Sequence, residues 1–382
     1  MSRCLGRKVG STPHIVHIST VHSALDPRIR LKQLRSVRDG GLTAHLVTAD
    51  PDAGEEGDGV RVHRVAGRRR GRLTRMLITA PRAVLRALRI PAAVYHFHDP
   101  ELIPWAWLLL LRGVPVVYDV HEDYALAVAH KPYLAPALRS RLGRLVAAAE
   151  RVLTRPFRVV IAEECYAPRF PAARAVLNYP SRSLLSAGSA FGIADCRLLY
   201  TGNVTADRGA LNLARLARVL PEAHITMAGR CDPELAERIR AVAGVAASRI
   251  TLTGEGRYVP FAEIRSLYWT GHWIAGIVLI PDSPHYREKQ LTKFFEYMAA
   301  GLPIIASDVP AWRSLIAAQG LGLCVDPEDP QAVAEAVRWI EGHREEALEM
   351  GRRGRDFVAL RYNWEREGQR LLSFYHELLE AS

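Results

Sequence analysis

The chain has 382 residues, 49% hydrophobic and 24% charged, which suits two globular domains with cores of their own and excludes a disordered chain. Its formal net charge of +11 is carried almost wholly by arginine and attracts anions, but no zinc finger, RNA-binding aromatic motif or heptad array is present, which ranks nucleic acid last among the partners. The longest apolar stretch, around residues 102–111, falls well short of the roughly 20 residues that span a bilayer, and the first ten residues lack the apolar core of a secretory leader, so a cytoplasmic protein is expected.

Taken in chain order, short runs rich in valine and isoleucine at 14–19, 43–48, 60–65, 93–97, 114–119, 158–162 and 173–177 predict buried strands. Helical stretches such as 29–39 and 136–153 lie between them, and strands alternating with helices predict a parallel, doubly wound sheet. Residues 179–192, rich in proline and serine, read as a linker. A second alternation follows, with strands at 197–201, 224–228, 250–253, 274–279, 303–306 and 322–325 and helices at 210–219, 233–242, 261–269 and 292–300. The chain closes with helices from Gln331 onward, the last at 364–379. Five cysteines, at 4, 165, 196, 231 and 324, show no paired spacing, which suits reduced thiols and argues against a disulfide framework or a zinc site.

The segment HYREKQLTKFFEYMAAGLPIIASDVP, residues 285–310, carries the most chemistry. Thr292 reads as an N-cap, and Gly301 with Pro303 as the helix end, so Glu288 sits in the loop ahead of the helix and Glu296 about one turn inside it. Unpaired backbone N–H groups at the helix start, with the charge of Lys293 beside them, form a ready site for a diphosphate. Glu296 can then accept hydrogen bonds from a ribose diol, and Glu288 can face a sugar beyond the phosphates. The plainer reading is a solvated Lys293–Glu296 pair on an amphipathic helix.

The two glutamates followed by EYMAAGLPIIASDVP resemble the retaining glycosyltransferases of family four, which have the GT-B fold. Matches spread over nearly the whole chain: His22, Asp26, Arg28 and Lys32 after the first strand, YHFHDPEL at 95–102, YDVHEDY at 118–124 and YTGNVTADRG at 200–209. The resemblance implies an α/β fold of two doubly wound Rossmann-like domains facing a central cleft. The acceptor-side domain spans 1–180 and the nucleotide-sugar domain 190–362, and the helix at 363–382 crosses back to the first. It also implies that Arg208, in the loop from Gly202 and Asn203 to Gly209, holds the diphosphate with Lys293, and that Glu296 binds the donor. Residues 257–259, Tyr258 among them, stand where the base is expected, and uridine is the usual base in the family. Glu288 and His121 become the catalytic pair, and His22, Arg28, His98 and Asp99 line the acceptor side; a satisfied loop histidine is the plainer reading of His121. Where many relatives have a glycine-rich loop after the first strand, this chain has Thr20, Val21, His22, Ser23 and Ala24.

No cofactor and no metal are expected, since two cations and a helix terminus can stabilise a leaving diphosphate. The implied partners are a nucleotide sugar and an acceptor, either an envelope polysaccharide intermediate on a lipid carrier or a small secondary metabolite. Residues 68–89 join an arginine cluster to an apolar stripe, Leu77, Val84, Leu85 and Leu88, which fits either an anionic membrane surface or an ordinary core-facing helix. Two other functions fit the same residues: a nucleotide-sugar epimerase of this fold, and a non-enzymatic protein that closes on a nucleotide sugar.

Overall fold

The computed structural model describes residues 12–50, 56–65, 71–121, 136–192 and 195–381. The start of the arginine cluster and the end of the YDVHEDY motif lie outside the described residues. The chain divides into two compact units, Met1–Asn178 with Glu367–Ser382, and Tyr179–Arg366.

The first unit is built on an eight-stranded sheet. Its strands are β1 (His14–Ser19), β2 (Thr43–Thr48), β3 (Glu56–Gly57), β4 (Val60–Arg64), β5 (Val94–Phe97), β6 (Val116–Val120), β7 (Arg158–Ile161) and β8 (Arg174–Ala175). Their order is β3-β4-β2-β1-β5-β6-β7-β8. All neighbours pair in parallel except β3 with β4, an antiparallel edge pair too short to leave any periodicity in the sequence. Every residue of β5 and β6 is buried, as a parallel sheet covered on both faces requires. Val16, Ile18, Tyr95, Phe97 and Tyr118 form the centre of the core.

The helical segment from Arg72 to Leu88 splits the anticipated apolar stripe. Ala80, Ala83, Val84 and Ala87 are buried in the core, whereas Leu77 and Leu85 are 66% and 51% exposed. Small residues let this helix pack closely on the sheet, and the larger leucines turn outward.

The second unit holds a six-stranded, all-parallel sheet of order β11-β10-β9-β12-β13-β14. The strands are β9 (Arg197–Thr201), β10 (His224–Cys231), β11 (Ile250–Glu255), β12 (Ala275–Val278), β13 (Ile304–Ser307) and β14 (Gly322–Val325). Residues 179–192, expected as a linker, pack within this unit. The Tyr179 ring lies 4.7 Å from that of Phe295 and 5.2 Å from that of Tyr362, and the Ala190 amide donates to the Ala300 carbonyl at 2.7 Å. Buried tyrosine and leucine side chains hold what proline and serine content alone suggests would be loose. The last helix, Trp364–Glu380, starts in the second unit and belongs to the first from Glu367 onward.

In each sheet the strand order reverses once, between β1 and β5 in the first unit and between β9 and β12 in the second. Loops leaving the carboxyl ends of such neighbours diverge to opposite faces and open a crevice between them. Most candidate site residues lie on these loops and on the helix that follows β12, while His121 follows β6 and Tyr258 follows β11.

Candidate functional site

In the second unit the chain leaves β9 through Gly202, whose φ of 96° is left-handed, and passes the exposed Asn203 to a short turn, Ala206–Arg208. Gly209, at φ 82°, then starts the helix Ala210–Val219. A Cβ on Gly209 would lie 1.8 Å from the Leu279 carbonyl oxygen, so only glycine lets this loop meet the end of β12. On the other side of the switch point stands the helix Thr292–Ala299. Thr292 is its first residue and not its cap. Leu291, extended at φ −72° and ψ 132°, takes the cap position, and no side chain caps this end. Its first backbone N–H groups therefore have no capping acceptor.

Lys293 reaches from this helix toward the β9 loop. Its side chain is buried at 7% exposure, its Nζ has no hydrogen-bond partner among the described residues, and it lies 3.8 Å from the centre of the Tyr200 ring. A Cβ on Gly202 would stand 3.5 Å from the same Nζ. Burial, and next the positive Arg208, hold the Lys293 ammonium well below the usual lysine range, with Glu296 opposing them. Arg208 donates through Nε to the Tyr286 hydroxyl at 3.2 Å, and that hydroxyl donates to Asp207 at 3.2 Å.

Glu296 is half-buried and accepts a hydrogen bond from the Tyr268 hydroxyl at 2.9 Å. The same hydroxyl lies 2.8 Å from Thr201 Oγ1 at the end of β9. Burial, reinforced by the Glu296 carboxylate, pushes the Tyr268 phenol well above its ordinary value, which keeps it a donor. Glu288 is exposed on the preceding turn, and its carboxylate makes no hydrogen bond among the described residues. The turn is pinned from below by Trp312, whose indole donates to the Lys289 carbonyl at 2.7 Å. Tyr258 is 64% exposed on the loop after β11, where Arg257 pairs with Glu263 at 2.6 Å.

In the first unit the predicted acceptor-side residues separate into a buried set and a rim. Arg28, His98 and Asp99 are 4%, 1% and 0% exposed. Arg28 makes a two-point contact with the fully buried Asp119, Nε to Oδ2 at 3.1 Å and Nη2 to Oδ1 at 2.8 Å. Gln33 donates to the same carboxylate at 2.7 Å. Burial alone would raise the Asp119 carboxyl, but Arg28 and His98 hold it well below the usual range. Arg28 therefore orders the floor of the site. The rim consists of His22 and His121, whose Nε2 atoms lie 2.8 Å apart. His121 Nδ1 lies 3.2 Å from the Asp119 carbonyl, and His22 Nδ1 lies 3.4 Å from Asp26. Burial, and next His22, lower His121 to about 4, so its imidazole is neutral at physiological pH.

Where many relatives have a glycine-rich loop, Asp99 organises residues 19–22, and Asp50 accepts from the Ser23 hydroxyl at 3.0 Å and the Ala24 amide at 2.8 Å. One Asp99 oxygen accepts from the Thr20 amide at 2.5 Å, the Val21 amide at 3.2 Å and the Ser19 hydroxyl at 3.0 Å. Its other oxygen lies 3.3 Å from His22 Nε2. His22, Asp99 and His121 bring three donor atoms within 4.8 Å of one another, as do His96, His98 and Asp119, so either set could hold a metal ion.

Sequence reasoning missed His17, His96 and Tyr375. The Tyr375 hydroxyl lies 3.0 Å from His17 Nε2 and 2.5 Å from His96 Nδ1, and His17 Nδ1 lies 2.9 Å from His98 Nε2. The available signal was the register of polar residues in otherwise apolar strands: His17 of β1 pairs with His96 of β5. Tyr286 and Tyr268 were also missed, one inside a charged loop and one on a helix that reads as ordinary core.

Residues 27–176 match the family model of the glycosyl transferase 4-like domain, and residues 195–341 match that of the glycosyl transferases group 1. Over 119 residues the chain is 30% identical to a D-inositol 3-phosphate glycosyltransferase of Corynebacterium urealyticum, a match covering 31% of this chain and 26% of that relative. Among solved structures it is similar to a sucrose-phosphate synthase from Thermosynechococcus elongatus, with a TM-score of 0.74 and 20% identity over 97% of this chain and 100% of that one. It is also similar to Anabaena HepE solved with UDP and glucose, with a TM-score of 0.68 and 13% identity over 94% of this chain and 98% of that one. The architecture is the GT-B fold of glycosyltransferases. The chain belongs to the group 1, or family four, glycosyltransferases.

Removing Arg28 strands the Asp119 charge in the core. Arg28→Ala is expected to destabilise the first unit by about 3–5 kcal/mol, the cost of breaking a buried ion pair by deleting one partner. Native-state hydrogen exchange of the β1 and β6 amides reads this directly. Unchanged protection there would mean that water or relaxation compensates the carboxylate and that the pair is not structural.

Proposed function

We propose that the protein is a retaining, metal-independent hexosyltransferase that moves a sugar from a nucleoside diphosphate, with uridine as the base, to a hydroxyl of an acceptor. The observation that carries the reading is Lys293, a buried ammonium without an acceptor, set beside Arg208, an open helix start and a glycine-bounded loop. Two cations brought together without an anion are an electrostatic cost to the free protein, and a diphosphate removes it. The UDP and glucose named for the similar Anabaena structure support this donor class.

In this reading Glu296 binds the ribose, oriented by Tyr268, with Gly202, Asn203 and Tyr258 as further donor contacts. Glu288 hydrogen-bonds the transferred sugar, and neutral His121, held through Nδ1, offers Nε2 to a sugar hydroxyl. The acceptor hydroxyl attacks the face that the nucleotide leaves. The departing phosphate takes its proton, and Arg208 and Lys293 stabilise the charge that develops on the leaving oxygen. The acceptor side is formed by His22 over the floor of Arg28, His98 and Asp99, and the acceptor is an envelope polysaccharide intermediate or a secondary metabolite. The site of action is cytoplasmic, at the inner face of the membrane.

The test is a panel of nucleotide sugars assayed for diphosphate release, alone and with acceptors. Acceptor-stimulated release supports the transferase; a changed sugar with no release would support an epimerase, and binding without turnover a sensor.

Three outcomes are expected. Glu288→Gln lowers turnover by roughly 10²–10³-fold, the scale of losing one electrostatic partner of a transition state. Glu296→Gln chiefly raises the donor Michaelis constant, because ribose contacts are equal before and during reaction. Steady-state kinetics with saturating acceptor separate the two, and a reversed pattern would exchange their roles.

The second concerns Lys293. A bound diphosphate raises its pKa above that of the free protein, so donor binding takes up a proton. Affinity is then highest below the free-state pKa and falls as pH rises through the bound-state pKa. Calorimetry of UDP-glucose in buffers of differing ionisation enthalpy measures the uptake, and Lys293→Met should abolish it.

The third concerns the membrane. Leu73, Leu77, Ile78 and Leu85 are exposed beside Arg72, Arg82 and Arg89. Binding to anionic vesicles should occur at low ionic strength and fall with added salt. Sedimentation with vesicles reports it, and indifference to anionic lipid would point to a soluble acceptor.

A further inference from the structure

The carboxyl ends of β1, β5 and β6 carry His22, Asp99 and His121. At the opposite end of the strands of the same sheet, the chain entering β7 and β8 and the end of the last helix line an open surface hollow of about 740 Å³. Five arginines line it: Arg151, Arg155, Arg158, Arg169 and Arg174. Glu377 is the one carboxylate among the lining residues, and it pairs with Arg174. Outside the lining, Glu150 lies 3.7 Å from Arg169 Nε. The guanidinium groups of Arg151, Arg155 and Arg158 make no ion pair or hydrogen bond among the described residues.

Guanidinium groups gathered in a concavity repel one another, and each presents the planar fork that matches phosphate oxygens two at a time. The wall between them mixes polar and apolar surface: Phe157, Phe170, Phe374 and Leu378 line it with only their edges exposed. Charge for a phosphate and a small area of carbon surface thus occur together, away from the residues proposed for transfer.

We infer that this hollow is a second binding site, for a phosphate-bearing ligand with an apolar portion. The ligand is either a membrane lipid or a soluble phosphorylated metabolite. The inference does not rest on the proposed transfer reaction. Because the hollow opens at the amino ends of the strands, its occupant is not the acceptor under attack. It anchors or regulates the first unit.

The test reads the arginines themselves. Their modification by phenylglyoxal is followed peptide by peptide in the full chain, with geranyl phosphate, phosphatidylglycerol vesicles or phosphatidylcholine vesicles as probes. Geranyl phosphate should protect Arg151, Arg155 and Arg158. Protection by phosphatidylglycerol vesicles as well, and not by phosphatidylcholine, assigns the lipid source; protection by geranyl phosphate alone assigns the soluble one.

Arg155→Glu combined with Arg158→Glu should weaken geranyl phosphate binding at least about tenfold, the loss of two charge-assisted contacts. Glu377→Gln should strengthen it by about two- to fivefold, because an exposed carboxylate that competes with the ligand is gone. Both variants should keep the far-UV circular dichroism spectrum and the thermal unfolding midpoint of the parent chain, which shows that they fold. Absence of protection by every probe overturns the inference, as does indifference of the affinity to both substitutions.

Discussion

A fully buried carboxylate in a parallel sheet is tolerable only when its charge is met on several sides, and Asp119 is the point around which the first unit is arranged. Arg28 supplies a two-point contact, Gln33 a third donor, and His98 Nδ1 lies 3.3 Å away. Arg28 also donates to the Val176 carbonyl at 3.0 Å, so the chain after β8 is tied to the same group. The loop after β1, the end of β6 and the segment after β8 are fixed by one charge balance. His121 follows two residues after Asp119 and hydrogen-bonds its carbonyl. The geometry of the rim is inherited from the floor.

The second unit treats buried charge in the opposite way. Asp119 is saturated, whereas Lys293 is buried with only an aromatic face beneath its ammonium. Cation–π attraction and the distant Glu296 offset only part of the desolvation, which holds the ammonium well below the usual lysine range. A saturated group such as Asp119 contributes to folding, whereas burying an unpaired one such as Lys293 costs stability.

Much of this was legible in the sequence where apolar spacing or glycine carries the information. The runs at 14–19, 43–48, 197–201 and 322–325 coincide with β1, β2, β9 and β14, and the helix at 210–219 has the bounds expected of it. Gly202 and Gly209 marked the loop whose left-handed turns they make. Legibility stopped where contacts are made between residues far apart in the chain. Nothing near His17 announces that Tyr375, 358 positions later, will meet its imidazole. The choice of Leu291 over Thr292 as the cap depends on how the preceding loop arrives, which local propensity does not encode. Composition suggested a loose tether at 179–192 because it cannot see that Tyr179 packs between Phe295 and Tyr362.

The last helix joins these themes. It leaves the second unit at Arg366, and Glu367, 1% exposed, accepts from the Leu177 amide at 2.9 Å on the strand-end segment that also binds Arg28 through Val176. Farther along, Tyr375 closes the histidine chain beneath His98, and Phe374 and Leu378 face the arginine-lined hollow at the opposite end of the strands. One helix thus touches the floor of the rim and the wall of the hollow, with Tyr375 and Phe374 adjacent in sequence.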